Sequence, residues 1–517
     1  MRRPQPRART ERRRARDASA LVVVLWCLVV LAVVVISTAH TATLETRLVK
    51  NSADSVRAYY LALAGVEKAK AIIYRESESG DLARASRGRA LYDNPAEFED
   101  VELGGGVFRV VRSPASGTSS SAGEGALFGV EDEERRLNVN HASPGELARL
   151  PRIDEVVAAS IVDWRDDDDE VSSNGAEAEY YESLRPPRRI RNGPVETLRE
   201  LLLVRGVTPQ LLLGEDADAD GFLDSEENDG RRRTPDDDAD GRLERGLSAY
   251  LTLESAVPNV DVRGNDRIDI TFATAEELAA LDGVSRTVAD AIVAYRERKS
   301  FDSIADLLDV TAGGGNGERG GGVPTAAPPR AEGVVLDAST VGFLPGGERT
   351  RLESSVIVAG AAGGPVESTG GRDPQGEARA GGTDANGPKL ISIDLLERIA
   401  DSVTVSRERT LDAVVNVNTA GWEVLACLDG LSEDRARAIV DYRRSSGYFE
   451  TIAGLLRVPG ITTDVFRQIA TKVTTRGGTF RVVSEGIVPS TGARRRIEAV
   501  VRLGTFNVDT LFYREDS

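Results

Sequence analysis

Residues 216–227 have the types and spacing to hold a hard divalent cation. Asp216, Asp218, Asp220, Asp224 and Glu227 fall at positions 1, 3, 5, 9 and 12 of a twelve-residue loop, and Gly221 takes position 6, where the chain must turn sharply. Carboxylates so spaced converge on one ion, and the carbonyl of Phe222 at position 7 adds a further oxygen. Calcium is the cofactor this all-oxygen set suits. A second, incomplete loop starts at Asp236, Asp238, Asp240 and Gly241; Leu247 stands at its twelfth position, and Glu244 is the available substitute. Asp166–Glu170 is another acidic run and reads as a solvated loop. No nucleophile–base pair, phosphate-cradling loop or dinucleotide fingerprint occurs, so the chain is expected not to be an enzyme. With only two histidines, a His-rich zinc site is not expected.

The formal charge is −18; the first 17 residues contribute +6, eight Arg against Glu11 and Asp17, so the remainder carries −24. A body this acidic argues against a general nucleic-acid binder, because phosphate binding needs a basic face. Cys27 lies in an apolar span and Cys427 far beyond it, so no disulfide framework exists. At 517 residues the chain exceeds one core, and two to four domains are expected.

The elements that must position the acidic loops begin with a membrane-active head. Leu21–Ile36 runs without a charge directly after the arginines. It fits a cleaved secretory signal, a plain anchor of about 17–25 residues, or a leader cut on its basic side so that the apolar helix remains. The arginines would hold the N-terminus in the cytoplasm. Thr41–Tyr74 continues with apolar residues at steps of three or four, and a helix over residues 20–75 would be roughly 80 Å long. Together, head, span and stem read as the N-terminus of a pilin-like protein.

Val101–Val111 and Ala126–Val130 read as strands. Thr479–Val488, Arg494–Leu503 and Thr510–Tyr513 do so at the far end, so the sheet is expected to draw on both ends of the chain. The middle repeats: Leu137–Arg165, Ile268–Arg296 and Val415–Arg443 each hold an extended lead-in, a Ser/Thr start with Glu soon after, a short helix, a tight turn, and a second helix ending in aromatic-Arg. Half-copies follow at Leu201–Leu212 and Leu455–Phe466. These resemble helix-hairpin-helix units. Asp282 and Asp429 stand in the turns that would meet phosphate, so duplex DNA binding is not expected. Gly313–Gly322 and Ala359–Gly387 read as flexible linkers.

Taken together, the segments ASALVVVLWCLVVLAVVV, VEDEERRLNVNHASPGELARL, IVDWRDDDD and ETLRELLLVRGVTPQLLLGEDADADG, with the terminal strands, resemble the type II secretion minor pseudopilins called general secretion pathway protein K. The resemblance implies an α+β fold: an N-terminal transmembrane and stem helix with a pilin-like antiparallel sheet, interrupted by a large helical domain with helix-hairpin-helix-like repeats. The implied partition is a basic leader over 1–18, the stem helix over 19–75, the first part of the sheet over 98–135, and the helical domain with acidic loops over 136–310. Gly-rich linkers with short strands follow over 311–387, the third repeat over 388–475 and the last strands over 476–517. It also implies cutting by the prepilin peptidase between Ala18 and Ser19, and calcium in the helical domain. The implied partners are the I and J minor pseudopilins, the major pseudopilin and the inner membrane, with the bulk of the chain periplasmic and a place at the pseudopilus tip. Ala18 stands where the family usually has Gly, and Val23 where major pilins have Glu. Two alternatives stay open: a membrane-tethered helix-hairpin-helix DNA receptor of the competence type, and a minor pilin of a type IV pilus.

Overall fold

The computed structural model describes residues 8–78, 91–112, 127–217, 227, 243–312, 388–504 and 507–516. The chain divides into two compact units, Met1–Gly314 with Pro388–Ser517, and Gly315–Gly387. The second unit lies outside the described residues, and with it the expected Gly-rich linkers.

Helix α1 runs unbroken from Ala8 to Glu78, about 105 Å at 1.5 Å per residue. It starts earlier than the expected residue 20, because nothing in the arginine-rich head beyond Pro6 breaks a helix. Ala18 and Ser19 therefore lie within helical backbone. The side chains of Val22–Ile36 are exposed, and α1 is long and apolar enough to cross a membrane. Its second half turns Ala58, Leu61, Ala62, Val66, Ala69, Ile72 and Ile73 inward.

That face lies on a seven-stranded antiparallel sheet: β1 (Val101–Leu103), β2 (Gly106–Arg112), β3 (Leu127–Phe128), β4 (Glu131–Asp132), β5 (Thr479–Val488), β6 (Ala493–Leu503) and β7 (Val508–Asp516). Their order is β1-β2-β5-β6-β7, with β3 on β2 and β4 on β5. The sheet is thus assembled from both ends of the chain. Val101–Val111 is not one strand, as expected, but a hairpin: Gly104 and Gly105 take φ of 56° and 80°, turning β1 back onto β2. Alternation along β5 and β6 sends Phe480, Val482, Ile497, Ala499 and Val501 into a shared core with α1. The approach is close enough to require glycine: a Cβ on Gly65 would lie 2.1 Å from Ser484 Oγ, and one on Gly486 2.0 Å from the Ala58 carbonyl oxygen.

Between β4 and β5 the chain builds three helical units on one plan, each closed by a parallel pair of two-residue strands. Leu137–Asn138 pairs with Leu251–Thr252, Ile268–Asp269 with Val403–Thr404, and Val415–Asn416 with Val473–Thr474. The long helix of each first hairpin is α2 (Glu155–Arg165), α3 (Arg286–Arg296) and α4 (Glu433–Ser446), capped by Asp154, Ser285 and Ser432. The recurrent arginine closing the repeat has a structural explanation. Arg165 donates to the carbonyls of Val139 and Ala142, Arg296 to Ala273 at 2.7 Å, and Arg443 to Val417 at 2.6 Å. Burial pushes Arg165 and Arg443 down to about 10.

Only the third unit is uninterrupted. In the first, residues 214–246 split the last helix between Pro209–Leu213 and Leu247–Ala249, with a Gly214–Arg245 bridge closing the stem. In the second, the insertion falls at the turn of the second hairpin, between Ile304–Asp309 and Ile393–Ile399, and a Thr311–Lys389 bridge closes it. The structure therefore joins Pro388–Thr404 to the second unit rather than the third. All three units share one continuous core.

Candidate metal centre

The expected calcium loop is described only at its ends. Asp216 and Glu227 are both buried and brought together: Glu227 Oε1 accepts from the Ala217 amide at 2.8 Å, and Arg245 Nε lies 3.3 Å from Asp216 Oδ2. Asp218, Asp220, Phe222 and Asp224 lie outside the described residues, as do Asp236, Asp238 and Asp240 of the second loop. Glu244, expected as that loop's substitute ligand, is exposed and turned to Arg152, 2.7 Å away. A guanidinium is the nearer partner because Glu244, beside the Gly214–Arg245 bridge, lies next to Arg152 of the first hairpin turn.

A different set of carboxylates converges in the same unit. Asp163 on α2, Asp166 at its C-terminal cap and Glu177 at the N-cap of the helix Ala178–Ser183 place one oxygen each within 4.8 Å of one another. Asp163 and Glu177 are 0% and 2% exposed. Asp163 Oδ1, Asp166 Oδ1 and both Glu177 oxygens are buried without a hydrogen-bond partner. Among the described residues the Ser172 amide donates to the set, 3.2 Å from Asp163 Oδ2, and the Ala178 amide lies near Glu177 and partly offsets its upward shift.

Residues 166–177 are held in place around this centre. Trp164 packs edge-to-face on Tyr181 with centroids 5.0 Å apart, and Arg205 Nη1 donates to the Gly175 carbonyl at 3.0 Å. Gly175 passes so near that a Cβ there would lie 1.9 Å from Asp163 Oδ2. Burial, then Asp168 and Asp163, push Asp166 up to about 6; burial, then Asp163 and Asp166, push Glu177 up to about 7. Buried carboxylates are ordinarily paired. Four oxygens without donors, from Asp and Glu alone, fit a hard divalent cation. Asp166 thus leaves the solvated run to which sequence assigned it, while Asp167–Glu170 are exposed as expected.

A second concentration of buried charge, Glu131–Arg136, joins the sheet to the helical units and was missed as a site. Arg135 and Arg136 each lie 2.7 Å from Glu131, and Glu133 meets Arg136 at 3.0 Å, Arg481 of β5 at 2.5 Å and the Thr252 hydroxyl at 2.5 Å. Glu134 accepts from the amides of Ala256, Gly478 and Thr479, and Asp132 from Asn416 and Thr419. Burial pushes Glu131 up, but Arg136 and Arg135 outweigh it and hold the carboxyl well below its usual range. Burial raises Asp132, and burial together with the neighbouring Asp132 raises Glu134. The run of four acids and two arginines was the available sequence signal.

The converging carboxylates fall inside a segment with a family match. Residues 145–213 match the model of type II secretion system protein K. Residues 264–312 and 412–474, in the second and third units, match the helix-hairpin-helix motif. Among curated relatives, endonuclease/exonuclease/phosphatase family domain-containing protein 1 of Mus musculus is 29% identical over 232 residues, 44% of this chain and 31% of that protein. ComE operon protein 1 of Bacillus subtilis is 38% identical over 64 residues, 12% of this chain and 31% of that protein. The chain thus spans about a third of the length of these relatives. A crystal structure of the GspK-GspI-GspJ complex from the type 2 secretion system of enterotoxigenic Escherichia coli is a loose likeness. It shows 10% identity and a TM-score of 0.36, over 90% of this chain and 99% of that one.

Proposed function

We propose that the chain is a minor pseudopilin of a type II secretion system, anchored by α1 and placed at the tip of the pseudopilus, where it helps to start assembly. The observation that carries this reading is the protein K segment, lodged in a helical domain that interrupts a sheet lying on an apolar-headed helix. In this reading the prepilin peptidase cuts between Ala18 and Ser19, α1 spans the inner membrane, and the rest of the chain is periplasmic. Partners are the I and J minor pseudopilins and the major pseudopilin. Calcium is held by Asp163, Asp166 and Glu177, with the Asp216–Glu227 loop as a second candidate, and its role is structural: it neutralises carboxylates that otherwise repel. An extracytoplasmic site of this kind works with a Kd of about 10⁻⁴–10⁻³ M.

The helix-hairpin-helix match favours a DNA receptor as the second reading, but the turns are poorly made for phosphate. Asp282 and Asp429 flank them, Arg435 donates to the Gly430 carbonyl at 3.0 Å, and Arg437 is paired with Glu433 at 2.5 Å. Gly430 is packed so closely that a Cβ would lie 2.2 Å from Gln468 Oε1. Deleting the gene should abolish type II export and pseudopilus formation, and N-terminal sequencing of the membrane-extracted protein should begin at Ser19. Normal export, or a mature start near His40, would refute the reading.

A further inference from the structure

Strand β7 has a neighbour on one side only. β6 pairs with it from Val508 to Asp516, and among the described residues nothing takes its outer edge. The amide and carbonyl groups on the side of this strand away from β6 form an edge of the kind that soluble proteins ordinarily cover or break up. This edge is apolar instead: Leu511, Phe512 and Tyr513 are 39%, 38% and 40% exposed.

A trough of about 590 Å³ runs along the same edge, between the sheet and the first helical unit. Val500 and Phe512, register partners on one face, form one wall, and Leu198, Leu213 and Leu253 the other. Among the described residues the charges lining it are matched with one exception. Arg481 and Arg514 both pair with Glu498, Glu196 pairs with Arg191 and Glu254 with Arg502. Arg199, exposed at the rim, donates only to the Ala217 carbonyl at 3.2 Å. In a chain of net charge −18, this apolar trough is left with one unmatched positive charge.

We propose that the outer edge of β7 and its trough bind an extended segment of a partner protein. The segment continues the sheet as a further strand, sets alternate apolar side chains against Phe512 and Val500, and places one carboxylate on Arg199. A second copy of this chain does not fit. α1 runs parallel to β6, with Ser55 beside Arg495 and Gly65 beside Ser484. Antiparallel pairing of two β7 edges would therefore send the two apolar helices in opposite directions. Parallel two-fold pairing would turn the copy's α1-covered face into the trough. The inference depends neither on the cation nor on the secretion reading.

The test incorporates the photo-cross-linker p-benzoylphenylalanine at position 511 of the full-length chain in its native membrane, with adducts mapped by mass spectrometry. We expect an adduct to another protein, within an extended run of alternating apolar residues that holds an Asp or Glu. The yield should fall roughly tenfold with Arg199→Glu and return when the mapped carboxylate is changed to Lys. The proposal is overturned by no adduct, by an adduct to a second copy, to lipid or to a helical segment, or by a yield that Arg199→Glu leaves unchanged.

Discussion

The two sets of buried carboxylates in this chain are opposites. At the junction between sheet and helical units, the carboxylates of Glu131–Glu134 meet guanidiniums, hydroxyls or backbone amides, donors supplied by four separated stretches of chain. In the segment that matches protein K, Asp163 and Glu177 are buried and Asp166 half-buried, yet four of their oxygens meet no donor among the described residues. Burial costs a charged group several kcal/mol unless something compensates. The junction carries its compensation within the chain and is complete as folded. The set within residues 145–213 receives no such compensation from the described residues. The contrast is the one expected of a fixed joint in one place and of the proposed ligand site in the other.

The sharpest way to break this contrast is to remove compensation from the junction. Arg481→Ala removes one of the two guanidinium partners of both Glu133 and Glu498 and should destabilise the protein by up to about 3–5 kcal/mol, equally in calcium and in chelator, measured by denaturant unfolding. Next in size, Glu177→Gln should abolish the calcium-dependent part of stability, about 2.7 kcal/mol at a hundredfold excess over Kd, while leaving stability in chelator unchanged or raised. If Glu177→Gln destabilised the protein as much in chelator as in calcium, the two sets would be alike after all.

The pH dependence separates them further. Asp166 and Glu177 are raised to about 6 and 7 in the folded protein without metal. The folded state then holds more protons than the unfolded one between the ordinary carboxyl range and pH 7, so stability in chelator should fall as pH rises across that window. With calcium, where proton and cation compete, affinity should rise across the same window. Thermal melts at pH 5 and pH 7.5, with and without calcium, read both signs. A smaller loss, about 0.5–1.5 kcal/mol, is expected for Glu227→Ala, which removes the acceptor of the Ala217 amide, and most of the calcium response should survive it. Smallest of all, Glu244→Gln breaks an exposed pair with Arg152 and should cost under about 1 kcal/mol.

What sequence made legible was what local pattern or repetition encodes. The uncharged run before Ser37, the alternation in Thr479–Val488 and Arg494–Leu503, and the three copies ending in aromatic-Arg each announce an element without reference to the rest of the chain. The protein K carboxylates do not. Asp163 and Asp166 are three apart across a helix end, Glu177 starts another helix, and only the close passage of Gly175 makes them neighbours. The spacing rule that drew attention to Asp216–Glu227 describes a single continuous loop and has no counterpart for ligands gathered by tertiary packing. Arg152 was hidden for a related reason: it holds φ of 66° at the turn position where Gly283 and Gly430 take 80° and 90°, so one repeat lacks the residue that marks the turn in the others. The split of the second unit was missed because its closing strand, Val403–Thr404, lies across the insertion from its partner Ile268–Asp269.

The central claim is that Asp163, Asp166 and Glu177 form the principal cation site. Isothermal titration calorimetry of the full-length protein in detergent, with calcium as titrant, tests it most directly. The account predicts saturable uptake in the wild type with a Kd of about 10⁻⁴–10⁻³ M or tighter, lost in the Asp163→Asn/Glu177→Gln double variant and largely retained in Asp216→Ala/Glu227→Ala. Uptake unaffected by the first pair of substitutions, or abolished by the second alone, would contradict it.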